Sequence, residues 1–226
     1  MKLIDLHALY NLLYAAYGNL NWWPASSHYE MMIGAVLTQN TNWLNVEKAI
    51  ANLPQPITPQ YIEKAELDEL KEHIRPAGFF NQKSVYLKTL TAWYKNYNYD
   101  ATTVQQHPLN TIRKQLLSLK GIGSETADCI VLYAFGFPSF VIDAYTRRLL
   151  TRVYSGADLP PTYEGLKALF ESQLPADAAL FNNYHACIVM HAKDYCRAKP
   201  VCEKCPLAKN CSTATQSTPS TLSPIG

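Results

Sequence analysis

The stretch that decides the fold is Leu119-Lys120-Gly121-Ile122-Gly123-Ser124-Glu125-Thr126-Ala127-Asp128. Apolar residues recur at three- and four-residue steps before it, over 109–117, and again through 125–135. The sequence therefore predicts two helices flanking a pair of glycines one residue apart. Glycine admits a positive φ and lets backbone approach backbone, so the pair makes a tight turn. The amides that open the second helix point outward as an anion site, able to hold a nucleic-acid phosphate without reading a base. A bare Gly-x-Gly between helices is most often only a turn; the longer Leu-x-Gly-x-Gly-x-x-Thr-Ala pattern is more specific.

Working outward, the helical period recurs in Leu3, Leu6, Tyr10, Leu13 and Tyr17, and over residues 30–37, 43–53, 59–74, 82–94, 144–153, 163–174 and 177–192. Breakers separate these stripes: Pro24, Pro54-Gln55-Pro56, Pro76-Ala77-Gly78, Pro108, Pro138 and Pro160-Pro161. No run alternates like a strand, so the expected fold class is all-α. Residues 212–226 are rich in Ser, Thr and Pro with no charge and no aromatic, and are expected to be an unstructured tail.

The 226 residues are 48% hydrophobic and 17% charged, enough to bury a core. Lys and Arg number 20 against 18 Asp and Glu, so any nucleic-acid binding must come from local placement of charge and amides, not from bulk charge. No apolar run approaches the roughly 20 residues of a bilayer span. Asp5 interrupts the place where a signal peptide needs its apolar stretch. The expected location is cytoplasmic, associated with the nucleoid if the source is bacterial. In that reducing compartment six cysteines argue for metal or cluster ligation over disulfides.

Four of those cysteines form Cys196-x5-Cys202-x2-Cys205-Pro206-x4-Cys211. On spacing alone this set suits a [4Fe–4S] cluster or a tetrahedral zinc about equally. Cys129 and Cys187 lie on apolar helical stripes and read as core residues. Asp143 follows the apolar triplet Phe140-Val141-Ile142 and precedes a helical stripe holding Arg147 and Arg148. Such an aspartate is an N-cap, and for an arbitrary aspartate nothing more.

From Leu119 through Arg148 the chain resembles the helix-hairpin-helix base-excision DNA glycosylases, the superfamily of endonuclease III. The resemblance implies a two-domain all-α fold, with residues 22–135 carrying the helix-hairpin-helix and 1–21 plus 136–211 forming the second domain. It implies that Asp143 is the catalytic carboxylate and that Gly121, Gly123, Thr126 and Arg147 bind DNA. Residues 34–41, Gly-Ala-Val-Leu-Thr-Gln-Asn-Thr, resemble the segment whose glutamine fills the gap left by an extruded nucleotide, here Gln39. Residues 77–83, Ala-Gly-Phe-Phe-Asn-Gln-Lys, resemble the loop that wedges an apolar side chain into the stack. There Phe79 is the matching position, with Phe80, Asn81 and Lys83 as further DNA contacts. The terminal loop resembles the family's iron–sulfur loop, one residue shorter in its first spacing. The resemblance thus implies a [4Fe–4S] cluster on Cys196, Cys202, Cys205 and Cys211, and as partner a double-stranded DNA with damaged bases or abasic sites, bound by a monomer.

Family members that also cut the strand use a lysine two positions after the second hairpin glycine. Glu125 stands there and cannot form an imine, which implies a glycosylase without lyase activity. Trp22-Trp23-Pro24 and Trp43 resemble the DNA-3-methyladenine glycosylase III branch, whose matching aromatics line the base pocket, with Lys193 as a pocket lysine. The four-cysteine loop departs from that branch. Stacked aromatics suit an N-alkylated purine, because methylation makes the base cationic. Taken by themselves, Trp22 and Trp23 also suit core packing between two helices, though Pro24 beside them favours the pocket, and Lys193 suits a solvated surface at least as well. The rival readings are an oxidised-pyrimidine glycosylase with lyase activity and, of another class, a non-catalytic structure-specific DNA clamp.

Overall fold

The structure is a computed structural model, and it describes residues 5–20 and 22–217. In chain order the helices are α1 (Leu6–Tyr17), α2 (His28–Leu37), α3 (Trp43–Asn52), α4 (Pro59–Lys64), α5 (Leu67–Ile74), α6 (Phe80–Lys95), α7 (Ala101–Gln105), α8 (Leu109–Ser118), α9 (Ser124–Cys129), α10 (Ala144–Val153), α11 (Tyr163–Gln173), α12 (Ala178–Asp194) and α13 (Ser212–Ser217). Short 3₁₀ turns occupy Arg75–Ala77, Cys202–Lys204 and Ala208–Asn210. Among the described residues there is no strand. Among the described residues no helix is long and apolar enough to cross a membrane.

The chain divides into two units. One comprises Trp23–Val141 with Asp177–Ala179. Its centre is α2, in which Tyr29 and every residue from Met31 to Leu37 are buried. A helix apolar on all sides belongs inside, and this one is surrounded rather than laid on a surface. Its start is capped: the Ser27 hydroxyl accepts from the Glu30 amide at 3.0 Å, and the Ser26 hydroxyl donates to the Glu30 carboxylate. α3, α4 and α7 open on side-chain caps from Asn42, Thr58 and Asp100.

The stripe over 59–74, expected as one helix, is two. The backbone turns at Ala65, and the Lys88 ammonium takes up the carbonyls of Glu63 (2.9 Å) and Ala65 left over at the end of α4. A distant lysine satisfying those carbonyls makes the break stable. Beyond the hairpin, α9 runs on into a π-helical turn, Ile130–Ala134. At the end of α9 sits Asp128, fully buried, whose carboxylate accepts two bonds from Arg113 (2.8 and 2.9 Å) and one from the Ser139 hydroxyl (2.6 Å).

The other unit takes in the described residues of Met1–Trp22, Ile142–Ala176 and Leu180–Gly226. Leu6, Leu9 and Leu13 of α1 are buried, while Leu3 of the same stripe lies outside the described residues. Polar side chains tie α1 down: Tyr184 donates to Leu6 O, Tyr154 to Asp5 O, and Gln173 accepts from the Leu6 amide. Part of the expected unstructured tail is ordered. Residues 212–217 form α13, where Ser212 and Thr213 donate to the Val153 and Arg152 carbonyls at 2.9 Å each, and Ala214 is buried. Those carbonyls end α10 and lack intrahelical partners, which is why hydroxyl-rich residues settle there. Residues 218–226 lie outside the described residues.

Asp128→Ala should lose about 3–5 kcal/mol of stability, because it leaves the Arg113 guanidinium without its bidentate carboxylate. Urea unfolding with an unchanged slope is the check. A loss below about 1 kcal/mol would contradict this role for the pair.

Candidate DNA-binding and catalytic site

The hairpin lies where the glycines predict it. Gly121 has φ +86°, and a Cβ there would sit 2.4 Å from the Tyr86 ring, so both conformation and space demand glycine. Gly123 is different. Its backbone is extended, it is exposed, and a Cβ would meet nothing within 4 Å. Nothing inside the molecule requires glycine there, and no side chain caps α9. Gln39 is tied to this turn: its amide donates to Gly121 O and to Thr126 Oγ1, both at 2.9 Å. Thr126, expected to face DNA, is instead buried, with its hydroxyl turned onto Gln39.

Lys83 is likewise corrected. It is 1% exposed, and its ammonium donates to Leu37 O (2.7 Å), Thr41 Oγ1 (2.7 Å) and Ala77 O (2.8 Å). All three N–H groups are used internally, so none remains for a phosphate. Burial pushes its pKa down to about 8. The loop before it presents Phe79 outward, 61% exposed, at φ +47° and directly after Gly78 at φ +64°. A left-handed phenylalanine is costly, and here the strain holds an aromatic ring in solvent. Phe80 is half-buried against the core, with the Arg75 guanidinium 4.8 Å over its ring, whereas Asn81 is exposed.

The aromatic residues fall into two groups. Trp43, at the start of α3, meets Trp23 edge-on at 5.2 Å, and Trp23 packs on Tyr133 at 5.4 Å. The Trp43 indole donates to Glu47 at 2.7 Å, and Pro24 is exposed. In the other unit, the Lys193 ammonium lies 5.6 Å over the Trp22 ring. Tyr133 and Glu47 escaped the sequence reading. Tyr133 shares an apolar run with core residues, and only the ring contact distinguishes it.

Asp143 is the N-cap of α10: one carboxylate oxygen accepts the Thr146 amide at 2.7 Å, and the other lies 3.5 Å from His185 Nε2. Burial raises its pKa, but His185 and the Thr146 amide outweigh burial, and the carboxyl ends below its ordinary value. Asp143 is therefore ionised at neutral pH. His185 was missed; its signal is a histidine inside the apolar run 184–189, where a buried polar ring needs a partner. Further along the helix, Arg147 is half-buried and reaches Pro161 O at 3.4 Å.

All four cysteines of the terminal loop line one cavity, together with Arg152, His191 and Leu207. None of the six cysteines is in a disulfide. Helix α10 braces the loop: Arg148 donates to Cys196 O at 2.7 Å, and Arg152 to Cys196 Sγ at 3.3 Å and Ala198 O at 3.0 Å. Burial and the charges of the other three cysteines push the Cys205 thiol up, and burial lowers His191 to about 4, leaving its imidazole neutral. Among the described residues, no three of His, Cys, Asp or Glu gather as ligands of a single ion.

The family model of HhH-GPD superfamily base excision DNA repair proteins matches residues 33–176. A protein of Methanocaldococcus jannaschii, named as a candidate DNA repair glycosylase, is 43% identical over 196 residues, 85% of this chain and 89% of that one. The endonuclease III of Sulfolobus acidocaldarius is 27% identical over 173 residues, 75% of this chain and 74% of its own. Among solved structures, the H. pylori 3-methyladenine DNA glycosylase bound to 1,N6-ethenoadenine aligns with a TM-score of 0.71 at 29% identity, covering 84% of this chain and 98% of that one. Matched by the family model over more than half its length and by a relative at 43% identity, the chain belongs to the HhH-GPD superfamily of base excision DNA repair proteins and is a DNA repair glycosylase of that family.

Proposed function

We propose that the chain is a monofunctional DNA glycosylase that extrudes N-alkylated purines such as 3-methyladenine from double-stranded DNA and hydrolyses their glycosidic bond. A base must leave the stack before it can be reached, which calls for a wedge, a gap-filler and a pocket. Phe79 is the exposed aromatic for the first role and Gln39 the candidate for the second. The empty space over Gly123 at an uncapped helix start suits close approach of a backbone phosphate. Cleavage passes through an oxocarbenium-like state, so an ionised carboxylate held by a cap and by His185 is pre-oriented to stabilise it and to orient water. Glu125, exposed at the first turn of α9, supplies no amine for a Schiff base.

The observation that carries the substrate reading is the half-buried cluster of Trp43, four residues after Gln39, with Trp23 and Tyr133. A methylated, cationic purine gains about 1–2 kcal/mol from such faces beyond neutral stacking. Similarity to the H. pylori 3-methyladenine enzyme supports the same reading.

The cysteine loop is proposed to hold a [4Fe–4S] cluster. Four thiols line one cavity, a donor set that such a cluster takes, and the loop resembles the family's iron–sulfur loop. When bound, the cluster supplies cationic charge that favours four neighbouring thiolates. The Arg152 guanidinium donates to Cys196 Sγ and holds it in place.

Trp43→Ala should lower single-turnover release of 3-methyladenine about tenfold or more, at 1.4 kcal/mol per decade, and leave affinity for an abasic-site analogue nearly unchanged. Equal losses on both would mean that Trp43 serves the fold alone. Thymine glycol release without methyladenine release would place the chain with oxidised-pyrimidine enzymes instead. Purified aerobically, the protein should be yellow-brown, with broad visible absorption that bleaches on reduction. Colourless folded protein with one zinc per chain would refute the cluster.

A further inference from the structure

We propose that Lys83 is a positioning residue whose buried ammonium locks the loop presenting Phe79 and the turn presenting Gln39 into one body, so that both side chains enter the DNA stack together. The inference rests on the wedge and gap-filler roles given above.

The geometry is that of a three-way clamp. Leu37 O is a terminal carbonyl of α2, and Ala77 O ends the 3₁₀ turn before Phe79; both belong to helix ends that lack backbone partners. The third acceptor, the Thr41 hydroxyl, directs its single proton to Ala77 O, the nearer of the two carbonyls in its reach; Gln39 O lies 3.1 Å away. One ammonium and one hydroxyl therefore join residues 37–41 to residue 77, and the Gln39 amide carries the connection on to the hairpin through Gly121 and Thr126.

A cation placed where the helix dipoles present negative ends is matched to its surroundings. A methionine of similar length would fill the space but leave the buried Leu37 carbonyl without its donor and Ala77 O with the Thr41 hydroxyl alone, so packing alone does not account for a lysine here. The held segments are the ones that need holding. Asn40, Gly78 and Phe79 all have positive φ, and Phe79 keeps its ring in solvent with little packing of its own. Without the clamp, these residues can relax to ordinary backbone, and the wedge and the glutamine lose their common register.

The test uses the full chain and two duplexes, one undamaged and one carrying a tetrahydrofuran abasic analogue beside 2-aminopurine. Affinity for each is measured, along with the fluorescence rise on unstacking. Lys83→Met, folded by circular dichroism, should reduce the preference for the abasic duplex at least tenfold, with affinity for undamaged DNA unchanged within twofold. It should also abolish the fluorescence rise. Combined with Phe79→Ala, it should add less than twofold to the loss from Phe79→Ala alone. Thr41→Val, a milder cut in the same clamp, should lower the preference severalfold, and it carries the test if Lys83→Met does not fold.

Wild-type preference in folded Lys83→Met, or in Thr41→Val where Lys83→Met does not fold, overturns the proposal. So does full additivity with Phe79→Ala, or equal loss on both duplexes. If Phe79→Ala and Gln39→Ala each leave the preference intact, the wedge and gap-filler reading itself fails, and the clamp with it.

Discussion

A chain built from short helices must satisfy the backbone groups at the end of every one, and that constraint organises both units. Each helix leaves four amides and four carbonyls without intrahelical partners, so helices of six to ten residues have much of their backbone in this state. Ser27, Asn42, Thr58, Asp100, Asp143 and Thr162 close the starts. Lys83, Lys88 and the hydroxyls of Ser212 and Thr213 close the ends. The candidate chemistry is built from the same devices. Asp143 is a cap whose second oxygen is left facing a histidine, and the helix start at Gly123 has no side-chain cap.

The same constraint explains what the sequence revealed and what it concealed. Caps are local: an aspartate before a helical stripe, or Ser27 three residues ahead of Glu30, is visible in one dimension. The hairpin was legible because its glycines are local too, although only the structure separates Gly121, which Tyr86 requires, from Gly123, which nothing inside requires. Closure of helix ends by distant side chains is not local. Lys83 stands beside exposed Asn81 and Gln82 and looks like a surface lysine; the carbonyls that bury it are 46 and 6 residues away. Lys88 splits the stripe over 59–74 for the same reason, and Thr126 turns inward onto a partner, Gln39, that is 87 residues away. Helix α13 escaped because its composition reads as unstructured, while its hydroxyls find the end of α10 some sixty residues earlier.

The cysteine loop and α10 connect the two chemistries within one unit. α10 begins at Asp143 and ends among the cysteines, where Arg148 and Arg152 hold the loop by its carbonyls and one sulfur. The loop therefore braces the helix whose N-cap is the candidate catalytic carboxylate. In this account the role of a cluster is structural.

The central claim is that the Asp143 carboxylate drives base release. Asparagine caps a helix as well as aspartate does, so Asp143→Asn removes the charge while keeping the Thr146 bond. The direct measurement is single-turnover release of free base from methylated DNA by this variant, with melting temperature and lesion affinity recorded alongside. The account predicts native-like melting, affinity equal to or above wild type, and a rate lower by about a hundredfold or more, since the charge matters mainly in the transition state. A folded Asp143→Asn variant that releases base at the wild-type rate would show that Asp143 is a helix cap and nothing else.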